Sequence, residues 1–350
     1  MSKLYTWGYN GYGQLGDDTT TRRNTPTRIG TSDWTTIAAG DNHSLGISGG
    51  KLYTWGNNTN GRLGDGTTTE RHTPTQIGTS DWTAVVGGGY HSLGISGGKL
   101  YTWGWNYYGQ LGDGTTTNRH IPTQIGTSDW TVIAAGENHS LGISGGKLYT
   151  WGYNTNGQLG DGTKSGRTTP IQIGTSDWTA IAGGFNHSLG ISGGKLYAWG
   201  DNLYGQLGDG TTEDRHIPTQ IGTSDWTAIA CGRFHSLGIS GGKLYAWGDN
   251  DYSQLGDGTT TRRKTPTQIG TSDWTNVASN RFHSLGISEG KLYAWGNNEY
   301  GQLGDGTTTR RNTPTRIGTS DWTAIAAGDN HSLGIADIKI PSSNFFLFFN

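Results

Sequence analysis

LYTWGNNTNGRLGDGT, residues 52–67, is the stretch on which the fold turns. Its tryptophan belongs to the series Trp7, Trp55, Trp103, Trp151, Trp199, Trp247 and Trp295, spaced 48 residues apart without exception. A second tryptophan series, Trp34 to Trp322, and a histidine series, His43 to His331, keep the same spacing. A fixed period in the forties marks an array of like supersecondary units, none of which buries its apolar faces alone. Seven units, opening at Lys3, Lys51, Lys99, Lys147, Lys195, Lys243 and Lys291, account for nearly all of the 350 residues.

Within the unit Lys51 to Gly98, four short strands can be read. Lys51 to Trp55 alternates and is rich in strand formers, and Thr75-Gln76-Ile77 follows Pro74, which suits an edge strand. Trp82 to Val86 and His91 to Ser96 are two more, and Gly97-Gly98 makes a two-residue hairpin into Lys99. No helical periodicity appears anywhere. Four strands per unit, repeated seven times, describe an all-β, seven-bladed propeller of antiparallel blades, an architecture whose radial closure leaves only short edges. Tyr53 and Trp55 face one way while Ser92 and Gly94 of the paired strand offer little bulk, so blades are expected to pack ring over glycine.

The motif Trp55-Gly56-x-Asn58-x-x-Gly61-x-Leu63-Gly64-Asp65-Gly66, then Pro74, then His91-Ser92-Leu93, closely resembles the regulator of chromosome condensation repeat, and the likeness spans almost the whole chain. The resemblance implies a seven-bladed propeller with Trp82 to Val86 innermost, followed outward by His91 to Ser96, Lys99 to Trp103 and Thr123 to Ile125. On that order the chain starts on a third strand, Lys3 to Trp7, and ends after a second, His331 to Ile335. These two are expected to pair, so that one blade is shared between the termini.

Bulk properties narrow the partners. The formal charge of −2 gives no electrostatic footprint for nucleic acid or an anionic membrane, and no apolar run approaches a membrane span. With the first strand opening at Lys3, no signal peptide is expected, and a cytoplasmic setting is the default. The single cysteine, Cys231, stands where other units carry Ala39, Gly87 or Ser279, and reads as a small core residue. Residues 1–338 read as one propeller domain and 339–350 as an apolar tail. That tail, with Phe345 to Phe349, either docks on the propeller edge or serves as a contact peptide for a partner or a second copy of the chain.

The units also act as an internal control, because what they share is architecture and what differs is where function hides. Strands alternating in direction send the loop before each histidine and the loop after each Trp-Gly to one face. Those loops vary. The hairpins and the Gly78-to-Asp81 links, on the opposite face, barely do. Thirteen aromatics lie outside both the repeat pattern and the tail, and all fall in the variable loops. Aromatics and arginines bring contact area at low entropic cost, so they dominate protein recognition. The candidate partner-binding residues are therefore Tyr90, Trp105, Tyr107, Phe185, Arg233, Phe234, Arg281 and Phe282, an arc across consecutive units. Loop aromatics that simply pack on their own blade are the competing reading, especially for Tyr12, Tyr108, Tyr204, Tyr252 and Tyr300.

No motif argues for catalysis, a cofactor or a metal. Seven His-Ser pairs in one repeated context read as structural hydrogen bonding, since an active site is one constellation unlike its copies. His72, His120 and His216 share a loop position without metal-ligand spacing. The Gly-Asp-Gly-Thr turns lack the lysine of a phosphate loop and the acidic spacing of a calcium loop. Arg23 and Asp17, with their equivalents, read as a repeated loop-pinning ion pair. The leading expectation is a non-enzymatic scaffold that binds a protein. The resemblance adds nucleotide exchange on a small GTPase, as in eukaryotic chromatin-bound members. Those members carry an inserted wedge and a basic N-terminal tail, whereas the period here never breaks. Inhibition of an enzyme by an aromatic face is a further alternative. Carbohydrate binding by aromatic loop pockets is another; it would require each pocket to recur, whereas the loop aromatics here differ from blade to blade.

Overall fold

The structure, a computed structural model, describes residues 2–337; the tail segment Phe345 to Phe349 lies outside the described residues. Among the described residues, twenty-eight strands form seven four-stranded antiparallel sheets arranged as the blades of a propeller. The first strands are β1 (Ser2–Gly8), β2 (Arg23–Arg28), β3 (Thr36–Ala39), β4 (His43–Ser48), β5 (Lys51–Gly56) and β6 (Arg71–Gln76). Blade 2 is β3 to β6 in order from the axis outward, and blades 3 to 7 repeat it. Blade 1 is composite: Asp321–Ala327 and His331–Asp337 supply its two inner strands, β1 and β2 its outer two. There β1 pairs with His331–Asp337 without a break, from Ser2 opposite Asp337 to Gly8 opposite His331. The expected clasp closes the ring.

Each blade carries an aliphatic face and an aromatic face, and the two meet between neighbours. Leu45, Ile47, Leu52 and Ile77 of blade 2 pack on Trp82, Val85 and Trp103 of blade 3. Side chains so placed contribute roughly 1.5–3 kcal/mol each when fully removed from water. Trp103 is fully buried, and its indole N–H donates across the blade boundary to the Arg62 carbonyl at 2.9 Å. All seven tryptophans of this series make the equivalent bond.

Three details depart from the sequence reading. The ring over each glycine comes from the glycine's own blade: a Cβ on Gly94 would lie 2.6 Å from Cζ3 of Trp82. The innermost strand is only Ala84–Gly87, because the Trp82 amide is held by the Gly50 carbonyl of the preceding blade. The fourth strand begins at Arg71 rather than after Pro74. Arg71 pairs with Gly56 and Thr75 with Thr54, so the proline falls in the register shift between them, where no ladder N–H is needed. In blades 3 to 6 this strand runs on for 11 residues, as in Arg119–Asp129.

On the opposite face the links are tied down the same way each time. Lys99 Nζ donates to the Thr127 carbonyl at 2.7 Å and pairs with Asp129. Gly97 and Gly98 take φ of 55° and 76°, the two left-handed positions a type I′ hairpin requires.

Candidate functional site

The variable residues ride on loops built from invariant polar side chains. Asn58 Oδ1 accepts from the Leu63 amide at 3.0 Å while its Nδ2 reaches Asp65 and the Thr69 carbonyl. Asp65 Oδ1 accepts from the amide and hydroxyl of Thr67, and Oδ2 from Arg71 Nε at 2.7 Å. Burial opposes ionisation of Asp65, but the Thr67 and Arg71 hydrogen bonds outweigh it and hold the carboxyl below its ordinary value. The Asp–Arg pair occurs in all seven units, as the sequence led us to expect.

A closed circuit of hydrogen bonds runs beneath these loops. His43 Nε2 lies 2.9 Å from Ser92 Oγ of the next blade, and the series continues until His331 meets Ser44 at 3.0 Å. Each serine hydroxyl gives its proton to a main-chain carbonyl, Ser92 to Arg62 at 2.9 Å. It can therefore only accept from histidine, which assigns the neutral Nε2–H tautomer. Burial pushes His91 down to about 3, with His139 adding to the effect, and the ring stays uncharged. The His-Ser pairs thus serve as blade-to-blade ties.

On this platform the eight candidate residues fall into neighbouring groups. Tyr90 meets Trp105 edge-on at 5.3 Å, and Trp105 stacks on Tyr107 at 6.0 Å. Tyr108 and Tyr153 extend this group, with ring centroids 4.5 Å apart. The Arg233 guanidinium lies 4.3 Å above Phe185, and Phe185 meets Phe234 at 5.5 Å. Phe282 stacks on Tyr252 at 4.4 Å with Arg281 beside it at 5.2 Å. Contacts between the pre-histidine loops and the post-Trp-Gly loops confirm that both emerge on one face. Tyr107 is 67% exposed, while the other seven candidates are half-buried and brace one another.

Sequence reasoning passed over two features of this face. Leu203, at the same unit position as Tyr107, is 65% exposed. Arg62 replaces the glutamine that six units carry at that place, as Gln14 and Gln110 do, and that break in the pattern was the available signal. Buried at 3% exposure, Arg62 lies 4.8 Å over the Tyr90 ring and donates to the Gly89 carbonyl. Around the axis the pre-histidine positions enclose a cavity of about 100 Å³ whose lining includes Asp41, Glu137, Phe185, Arg233 and Asp329. Burial and then Asp329 push Glu137 up to about 7; burial, then Asp329 and Glu137, raise Asp41 well above the usual carboxylate range. Arg281 pairs with Asp329 at 3.3 Å. Among the described residues no group of His, Cys, Asp and Glu side chains is arranged to hold a metal ion.

The fold and the repeat find known counterparts. The Regulator of chromosome condensation (RCC1) repeat model matches seven times, at residues 2–47, 49–95, 97–143, 145–191, 193–239, 241–287 and 289–335. No curated protein sequence matches significantly. Among solved structures, Prp20p from Saccharomyces cerevisiae superposes with a TM-score of 0.89 at 23% identity, covering 97% of this chain and 92% of that one. Yeast RCC1 (Prp20) in complex with Kap60 gives 0.88 at 21% identity, with 97% and 90% covered. Human WBSCR16 gives 0.86 at 21% identity, with 97% and 100% covered. At these identities the likeness speaks for the fold, and the repeat matches speak for the family: the chain belongs to the regulator of chromosome condensation (RCC1) repeat family.

Proposed function

We propose that this protein is a non-enzymatic binding platform for another protein, with the variable-loop face of one propeller domain, residues 1–338, as its contact surface. One observation carries the reading. The aromatic side chains that break the repeat lie in the variable loops of one face, and some large apolar side chains there remain open to solvent, Tyr107 at 67% and Leu203 at 65%. Half-buried rings on the same face, Trp105, Phe234 and Phe282, are each held against a neighbouring ring, Tyr107, Phe185 and Tyr252 in turn, so little conformational entropy remains to be lost on binding. Of the relatives that share the fold, Prp20p binds Gsp1p and histones, and yeast RCC1 is held by Kap60, which supports protein recognition as the use of the scaffold.

Capture from a lysate of the source cells, with cross-linking mass spectrometry, tests the proposal. Tyr107→Ala and Leu203→Ala together remove exposed area without touching the core, and should lower capture about tenfold, equivalent to about 1.4 kcal/mol. Cross-links should fall on the loops that carry Tyr90, Trp105, Phe185, Arg233, Phe234, Arg281 and Phe282. Undiminished capture, or cross-links confined to the hairpin face, would refute it.

A further inference from the structure

The turns before the histidines meet around the axis of the loop face, and three of them bring carboxyls to one place. Asp41 comes from blade 2, Glu137 from blade 4 and Asp329 from blade 1, and all three line the axial cavity. Blade 3 stands between the first two and carries glycine at the matching position. A Cβ on Gly89 would lie 2.8 Å from the carboxyl carbon of Glu137, so the missing side chain is the space through which Glu137 reaches Asp41. Asp41 hydrogen-bonds to the carboxyls of both Glu137 and Asp329. Such a bond needs a proton, because an ionised carboxyl only accepts.

The same turns are laced together by their main chains. Gly89 N–H donates to the Glu137 carbonyl at 3.3 Å, Glu137 to the Gly184 carbonyl at 3.1 Å, and Asp329 to the Asp41 carbonyl at 3.2 Å. Three cations face the carboxyls, Arg62 from a loop of blade 2, Arg233 from blade 6 and Arg281 from blade 7, and Tyr90 faces them from blade 3. Arg281 pairs with Asp329, whereas Arg233 lies over Phe185 and Arg62 over Tyr90. Asp41, 6% exposed, therefore meets carboxyls rather than a cation at hydrogen-bond range. Burial is the largest cause that keeps protons on all three, and it outweighs the pull of Arg281 and Arg233 on Asp329. A charged carboxyl in this place has to be hydrated, and more water enters only if the turns part.

We propose that the axial mouth of the loop face is a proton-operated latch: shared protons tie the turns of blades 1, 2 and 4 across the axis, and their loss admits water and loosens the main-chain ties. The latch works in the free protein, so it stands or falls apart from the partner-binding reading. In the parted state the carboxyls are solvated and ionise at about pH 4, while in the closed state Glu137 keeps its proton up to about 7. Between those values the closed state binds more protons. Its advantage is complete at acid pH and falls as the pH rises through that window, by about tenfold per unit for each carboxyl. The histidine circuit beneath stays uncharged from pH 5 upward and does not oppose this.

Amide hydrogen exchange reads the latch, each rate being divided by that of the unstructured amide at the same pH. On this scale exchange at Gly89, Glu137 and Asp329 should quicken about tenfold or more between pH 5 and 7. The Trp82 and Trp130 amides, which bind carbonyls on the hairpin face, should hold steady. The carbon-13 signal of the Glu137 carboxyl should titrate over the same range. Glu137→Gln combined with Asp41→Asn keeps the shapes but removes two of the protons, and should leave less than about a threefold change. A flat wild-type profile at the three amides overturns the inference. So do equal quickening at Trp82 and Trp130, a Glu137 carboxyl already ionised at pH 5, or an undiminished response in the double variant.

Discussion

Ser253 shows how closely a single residue is held to the repeat. Six units place glycine there, and the chain turns through φ of +61° at Ser253, a left-handed conformation costly to a side chain. Its hydroxyl is buried without a partner. Ser253→Gly should therefore raise stability by about 1 kcal/mol, visible as a higher denaturant midpoint at constant slope. An unchanged or lower midpoint would count against this account of the turn. Gly94 is the converse case. Its missing Cβ is the space that Trp82 occupies, so Gly94→Ala should cost about 1–3 kcal/mol through overpacking, read from the same curves. Both roles were visible in the spacing, since a glycine repeated at one position states a steric need. Which ring filled the space was not, because the paired strand sets Tyr101 directly opposite Gly94, whereas Trp82 reaches it from outside the strands.

Among the elements, β1 carries the most consequence for its length. It pairs on one side with His331–Asp337 and on the other with β2. Removing residues 2–8 strips blade 1 of its third strand and leaves the ladders on both sides unpaired, with Trp7 gone from the core. We expect such a chain to lose its single cooperative thermal transition and to expose edges prone to association. Retention of a sharp transition would show that the clasp is dispensable. The clasp could be foreseen from the phase at which the repeat starts and stops. The 11-residue outer strands could not, because their extension through the Gly126 link depends on Asp129 pairing with Lys99 across the blade.

At the scale of the whole ring, seven histidines share one fate. His91, His139, His187, His235, His283 and His331 are pushed down to about 3 by burial, and His43 is lowered by the same cause. An unfolded histidine titrates near 6.5, so between about pH 6.5 and 3 the unfolded chain binds more protons than the folded one. Stability is complete above that window and is lost as the pH falls through it, at up to about 1.4 kcal/mol per pH unit for each histidine. Burial raises Glu137 to about 7 and also lifts Asp41, Asp201, Asp249 and Asp329, which gives the opposite slope, but these are five carboxyls against seven histidines. Melting temperatures between pH 7.5 and 4.5 should therefore fall steeply, and a flat profile would contradict the neutral circuit. By itself, the sequence determined the number of blades and the four strands in each, because those follow from period and alternation, while the radial order of the strands, and with it the face on which the odd residues gather, followed from the resemblance to the repeat family. Only the tertiary structure decided which rings brace which, that Arg62 lies buried beneath Tyr90, and that each histidine ties to the serine of the next blade. These are contacts between units, and a repeat describes a unit without stating what its neighbour presents to it.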